Sequence, residues 1–403
     1  MNRENIEHLN NNDKELVSLL QKTIQIPSWY SSEKKDQNEN NLVDYMEYWI
    51  KKNTDMVVER QKLKGGRFNL IFKKGDPETI FLAHSDTVSP SVGAPYDMFG
   101  AEIHDGKIWG LGSTDMKSGM CAMAQSLAMV PEARNIWYML YADEELDFLG
   151  MKKSVEEYKD LKPRLIISSD GADLKIGHGC RGLIDFQARI RGQTGHPAKG
   201  NGLNAIIGAF KVEEDLQKYV EQYKHEVMGG TSVNLANIVG GKDPGDKKYF
   251  KKGLLEKVEK KNNIIPDIAD FGFDIRPSSP DLNYKNVVHF LSETSTKKGY
   301  GFEVVKKNHD LGAWYCNREI LTRFNNIARK VTNNGNQEIY DNPGNTGYID
   351  LQMLWNVTGR PDSFVFGGGN GETAHKANEH IEIESLIKTR DFFVRVLKEI
   401  NNK

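Results

Sequence analysis

Cysteine is scarce in this chain: Cys121, Cys180 and Cys316 are the only three among 403 residues. An odd, widely spaced set excludes a disulfide framework and offers no paired-cysteine zinc motif. These thiols read as packing residues in a reducing compartment. Long hydrophobic runs are also missing, since no uninterrupted apolar stretch reaches the length of a bilayer. The first residues, MNRENIEHLNNNDKE, are polar where a secretory leader would be apolar. Nor is there an excess of charge of one sign. A formal net charge of −2 gives no electrostatic reason to expect nucleic acid or a membrane surface as partner. The expectation is a soluble, cytoplasmic protein. Its 38% hydrophobic content is enough to build cores, and its length calls for more than one domain.

Apolar residues recur at helical spacing over residues 14–26 and 40–52. Short apolar strands then alternate with helical stretches: TIFLA at 79–83, IWYMLYA at 136–142, RLIIS at 164–168 and SFVFG at 363–367, with helices expected at 116–129 and 383–399. Such alternation predicts an α/β layer with a mostly parallel sheet flanked by helices. Between about 180 and 309 the texture changes. Alternating strands at 183–191 (LIDFQARIR) and 271–276 (FGFDIR) surround long polar helices, as in a smaller α+β domain inserted into the first. The expected division is 1–179 with 310–403 for the larger domain and 180–309 for the insert. The Lys-rich stretch 242–263 reads as a solvated loop or helix face.

Chemistry-bearing residues follow each strand of the α/β part. TIFLA runs into His84 and Asp86, IWYMLYA into Asp143, Glu144 and Glu145, RLIIS into Asp170, and SFVFG through a glycine-rich turn to His375. Asp115 joins them from the loop WGLGSTD ahead of a helix. Each alone has an ordinary explanation: a satisfied histidine, an acid in the first turn of a helix, or a turn aspartate. Open α/β sheets bind ligands outside the carboxyl ends of their strands, however, and four such ends converge on one locus. Two histidines with several carboxylates suit zinc or a similar divalent ion, and the surplus carboxylate suggests two ions sharing a bridge. Asp86, two residues after His84, is placed to hold the other imidazole nitrogen.

The motifs HSDTV (84–88), PYDMF through DGKIWGLGSTDMKSG (95–119), DEELDFLG (143–150), GQTGHPAKGNGLNAI (192–206) and AHKANEHI (374–381) together resemble the M20 family of zinc metallopeptidases and deacylases. That family includes carboxypeptidase G2-like enzymes, aminoacylases, dipeptidases, and acetylornithine and succinyl-diaminopimelate deacylases. The resemblance implies two zinc ions per subunit, with cobalt or manganese able to replace them. It implies His84 on one metal, Asp115 bridging both, Glu145 and His375 on the second, and Asp170 completing the first, with Asp173 as a nearby competitor. Glu144 becomes the general base. The adjacent Glu144 and Glu145 are then one base and one ligand, and metal charge offsets their repulsion. A cis peptide bond from Asp115 to Met116 is implied as well.

In the insert, His196 matches the family's oxyanion donor, Arg276 an arginine that grips a substrate carboxylate, and Asn234 a substrate-side asparagine. Without the resemblance, His196 reads as a loop histidine before proline, Arg276 as the partner of Asp274, and Asn234 as a turn residue. In GNTGYID (344–350) Tyr348 intervenes where relatives have Gly-Thr followed by an acid, so substrate specificity does not transfer. The implied function is cleavage of an amide bond in a small peptide, as a carboxypeptidase or dipeptidase. The alternatives are N-acyl-amino-acid deacylation and, from another class, a non-catalytic binding protein of the same fold. The insert is implied to serve as a lid and to pair two subunits as a homodimer.

Overall fold

The computed structural model describes residues 6–31, 33, 38–258, 262–317, 319, 321–333, 339 and 348–401. The chain divides into two compact units, one of Met1–His178, Cys316–Asp341 and Ile349–Lys403, the other of Gly179–Tyr315 and Asn342–Tyr348.

The first unit is built on a seven-stranded mixed sheet. Its centre is four adjacent parallel strands, in spatial order Ile136–Tyr141, Thr79–His84, Leu165–Ser168 and Asp362–Phe366. Antiparallel strands flank them: Val57–Lys62 and Phe68–Lys74 on one side, Ile176–Gly177 on the other. The strands Thr79–His84 and Ile136–Tyr141 are buried along their whole length, which explains why they read as unbroken apolar runs rather than alternating ones. Helices Asn11–Ile24, Asn40–Asn53, Lys117–Met129 and Ile383–Asn401 contribute apolar faces to the same core. Lys117–Met129 packs against Ile383–Asn401 and is buried almost all round, in keeping with its run of Gly, Ala, Met and Cys. The glycine at 119 matters here. A Cβ on it would lie 2.6 Å from the Cβ of Ser169, so its absence lets the end of the Leu165–Ser168 strand come close to this helix.

The second unit is a four-stranded antiparallel sheet, in order Ser232–Gly241, Ile268–Arg276, Leu183–Arg191 and Gly301–Leu311. Inward residues such as Phe186, Phe271 and Phe273 share a core with helices Ala205–Val220 and Tyr284–Lys297. The unit continues past Leu311 because Trp314–Tyr315 pairs with Gly179–Cys180. Of the Lys-rich stretch 242–263, residues 259–261 lie outside the described residues, and the rest differs from the expected solvated loop or helix face. It ends the Ser232–Gly241 strand's exit and then forms a 3-10 turn at Lys247–Tyr249 and a small hairpin of Phe250–Lys251 with Leu254–Leu255. Two anchors explain the hairpin: Leu255 donates its N–H to Asp270 (2.6 Å), and Arg189 donates to the Gly253 carbonyl (2.8 Å).

Candidate metal centre

Parallel register places the ends of the central strands side by side: His84 lies opposite Tyr141, and Leu82 opposite Ser168. The acids and imidazoles that follow those ends therefore meet at one edge of the sheet. Buried His84 has Nδ1 3.0 Å from the Asp86 main-chain carbonyl. A carbonyl only accepts, so Nδ1 carries a hydrogen and Nε2 is the nitrogen turned to the site. The Asp86 carboxylate stands 3.7 Å from Nδ1 and accepts the N–H groups of Glu144 (3.1 Å) and Glu145 (3.0 Å). One residue thus orients the imidazole through its carbonyl and the paired glutamates through its carboxylate.

Asp115 occupies the middle. Its Oδ1 is 3.1 Å from His84 Nε2 and its Oδ2 is 3.0 Å from His375 Nε2. The Asp115–Met116 peptide bond is cis. Glu145 Oε1 is buried and lies 3.2 Å from His375 Nε2. Three groups bring candidate ligand atoms within 4.8 Å of one another: His84 with Asp115 and Asp170; Asp115 with Glu145 and His375; and His84 with Glu144 and Glu145. Asp173 joins none of them among the described residues; its carboxylate accepts the Gly371 N–H at 3.3 Å.

The electrostatics show what this cluster needs. Burial, followed by the charge on Asp115, pushes Asp170 up to about 7. Burial and then Asp350 hold Glu144 well above the usual carboxylate range, and burial takes Asp86 to about 6. His375 is raised to about 10 by its contacts with Asp115 and Glu145. For His84, burial would lower the pKa, but Asp115 together with Asp86 and Glu144 outweighs it and the net shift is upward. For Asp115, burial is outweighed in turn by the two imidazoles, which hold it well below its usual range. A buried excess of carboxylate that takes up protons when left to itself is the environment a pair of divalent cations stabilises. The donor set of imidazole nitrogen and carboxylate oxygen fits zinc and its neighbours, and the shared Asp115 fits two ions.

Several residues that shape the centre were given no role by sequence reasoning. Asp143 has φ +72° and pairs through its carboxylate with buried Arg67, which also pairs with Glu39. Glu379 grips the Asp115 loop. Asp350 is fully buried, and neither of its carboxylate oxygens has a hydrogen bond among the described residues. Only Asp143, Glu379 and Asp350 lay within quoted motifs, and nothing there distinguished them from their neighbours. Of GNTGYID, residues 344–347 lie outside the described residues.

His196, Asn234 and Arg276 all belong to the second unit. His196 is exposed and caps the turn Pro197–Lys199, its Nδ1 accepting the Ala198 N–H at 3.2 Å. Arg276 donates to both carboxylate oxygens of Asp274, at 2.7 and 2.9 Å. Asn234 is exposed, opposite Asp274 in strand register.

The sequence profile of peptidase family M20/M25/M40 matches residues 80–399, and the chain belongs to that family. Its reaction class is accordingly hydrolysis of an amide bond, with metal as the family's cofactor. The chain is 30% identical to an acetylornithine deacetylase from Erwinia tasmaniensis, over 94% of this chain and 96% of the relative. It is 25% identical to an uncharacterized metallohydrolase from Methanocaldococcus jannaschii, over 91% and 93%. Among solved structures the fold is similar to aminopeptidase PepT from Bacillus cereus, with a TM-score of 0.68, 20% identity and coverage of 96% of this chain and 98% of that one. It is also similar to a dinuclear metal-binding M20 peptidase from Bacillus subtilis, with a TM-score of 0.63, 12% identity and coverage of 97% and 99%.

Proposed function

We propose that the protein is a dinuclear zinc hydrolase that cleaves the amide bond of a small peptide, as a carboxypeptidase or dipeptidase. The observation that carries this reading is Asp115, which directs one carboxylate oxygen to each of two imidazoles, as a residue bridging two ions must. His84, Asp115 and Asp170 would hold one ion, and Asp115, Glu145 and His375 the other. When bound, the ions supply Lewis acidity to the scissile carbonyl and acidify the attacking water.

Glu144 is the base. Asp86 fixes its main chain, and its carboxylate belongs to neither of the two ligand sets that share Asp115. An environment that raises its proton affinity suits a group that takes the water's proton and passes it to the leaving amine nitrogen. His196 is the oxyanion donor. The Ala198 N–H occupies its Nδ1, so the neutral ring carries its hydrogen on Nε2. Arg276 and Asn234 would contact the substrate. For Arg276 this requires a carboxylate that competes with Asp274 for its guanidinium.

A second reading, N-acyl-amino-acid deacylation, is favoured by the acetylornithine deacetylase relatives, which align along nearly the whole chain. Hydrolysis of a dipeptide panel beside N-acetyl and N-succinyl amino acids, in the presence of zinc, separates the two. Turnover confined to acylated amino acids would replace the peptidase reading, and turnover of neither class would remove both.

We further propose a homodimer joined through the second unit, with His196 acting in the partner's active site, and a cytoplasmic location. The dimer is supported by the open sheet edge at Ser232–Gly241 and by exposed Ile207 and Phe210 on the adjoining helix. The location is supported by the burial of all three cysteines, Cys121, Cys180 and Cys316. No helix among the described residues is long and apolar enough to cross a membrane. Mixing His196→Ala with Glu144→Ala chains should restore activity in exchanged heterodimers. Heterodimers that form and stay inactive contradict action in the partner.

A further inference from the structure

Asp115 can bridge only if its main chain is held, and the structure shows what holds it. Glu379, 3% exposed, accepts the N–H of Thr114 at 2.9 Å and the N–H of Asp115 at 3.0 Å through Oε1, with the Gly112 N–H as a further donor. Converging main-chain N–H groups form an anion-binding concavity, and here the protein fills it with its own carboxylate. The clamp has a second half. Thr114 Oγ1 donates to the His380 carbonyl at 2.9 Å and accepts the Asn370 N–H at 3.3 Å, and the Gly110 N–H reaches the Glu379 carbonyl at 3.1 Å. Loop 110–115 is thereby fastened to segment 370–380 at both edges.

That second segment carries His375, whose Nε2 meets Asp115 Oδ2 at 3.0 Å. One buried carboxylate therefore lies between the bridging ligand's main chain and the segment that supplies a histidine ligand. Glu379 itself belongs to no ligand cluster among the described residues, and no step of the proposed reaction uses it.

We infer that Glu379 is a positioning residue that fixes Asp115 relative to His375 and so sets the affinity of both metal positions at once. This rests on the dinuclear reading above. Partners that orient metal ligands, when mutated, change metal affinity by about 10- to 100-fold. The test is zinc binding alone, by competition with a chromogenic chelator, on the full chain. Glu379→Gln preserves shape but replaces the anion, and Glu379→Asp preserves the charge but shortens the reach. Melting of each metal-stripped variant establishes that it folds. Both should bind both zinc ions about 10- to 100-fold more weakly than wild type, with metal-stripped melting close to wild type. His375→Ala, by contrast, should weaken one ion much more than the other. Wild-type zinc affinity in either folded Glu379 variant, or weakening of one ion only, overturns the inference. Asp115→Asn guards the underlying reading: unchanged zinc binding there would refute the dinuclear centre itself, independently of Glu379. If Glu379→Gln fails to fold, Glu379→Asp alone decides.

Discussion

Replacing Arg67 with methionine keeps most of its volume but removes a cation lying between two buried carboxylates. The guanidinium, 5% exposed, stands 2.7 Å from Glu39 and 2.5 Å from Asp143, and 4.4 Å over the Tyr30 ring. Asp143 in turn accepts the N–H groups of Asp147 (3.1 Å) and Leu149 (3.2 Å), shaping the turn that carries Glu144 and Glu145. Removing one member of a buried pair leaves charge uncompensated and costs about 3–5 kcal/mol, even where replacing the whole pair would be nearly neutral. That corresponds to a fall in Tm on the order of 10 °C. The sign of the pH dependence follows from Glu39. Its pKa is already raised, chiefly by burial, and losing Arg67 raises it further. An acid with a raised folded pKa binds more protons folded than unfolded, so stability falls as pH rises above the unfolded value. The deficit of Arg67→Met should therefore be larger at pH 8 than at pH 5, and adding Glu39→Gln should recover part of it. Thermal melts of metal-stripped protein at both pH values check this. A loss below about 1 kcal/mol at pH 8, or an equal loss at both, would show that Arg67 does not hold this network together.

Glu144→Gln should retain its zinc while turnover drops about 100- to 10,000-fold, since it removes the base and no ligand; loss of zinc would reverse its role with Glu145. Asp170→Ala should lose one zinc ion and Asp173→Ala none, by elemental analysis; normal metal content in Asp170→Ala refutes its assignment. Zinc uptake should release protons at pH 7, because His375 near 10 and Asp170 near 7 must deprotonate to bind, and affinity should weaken from pH 8 to pH 6. Calorimetry in buffers of different ionisation enthalpy measures this, and release of less than about one proton per chain contradicts it.

The strands that carry the centre were legible because burial on both faces makes them short, nearly uncharged runs, and the polar residues after each run then stand out. Asp115 was legible as well, from its loop and from the motif around it. What could not be read was long-range pairing. Glu379 and Thr114 are 265 residues apart, and Arg67 and Asp143 are 76 apart, so no local pattern links them. Asp86 was found, but the division of work between its carbonyl and carboxylate depends on a turn geometry that spacing does not specify. Asp350 looks in sequence like any acid ahead of a short helix; only its complete burial, without a hydrogen bond among the described residues, sets it apart. For Arg276 the structure supplies the Asp274 ion pair that the sequence also allowed.

The most direct test is to strip the protein with a chelator and return zinc in known increments while following hydrolysis of the best substrate from the panel. The account predicts negligible activity without metal, recovery that completes at two zinc ions per chain, and no recovery in Asp115→Ala at any zinc concentration that leaves wild type active. Full activity in the stripped protein, or saturation at one ion per chain, would contradict a dinuclear mechanism.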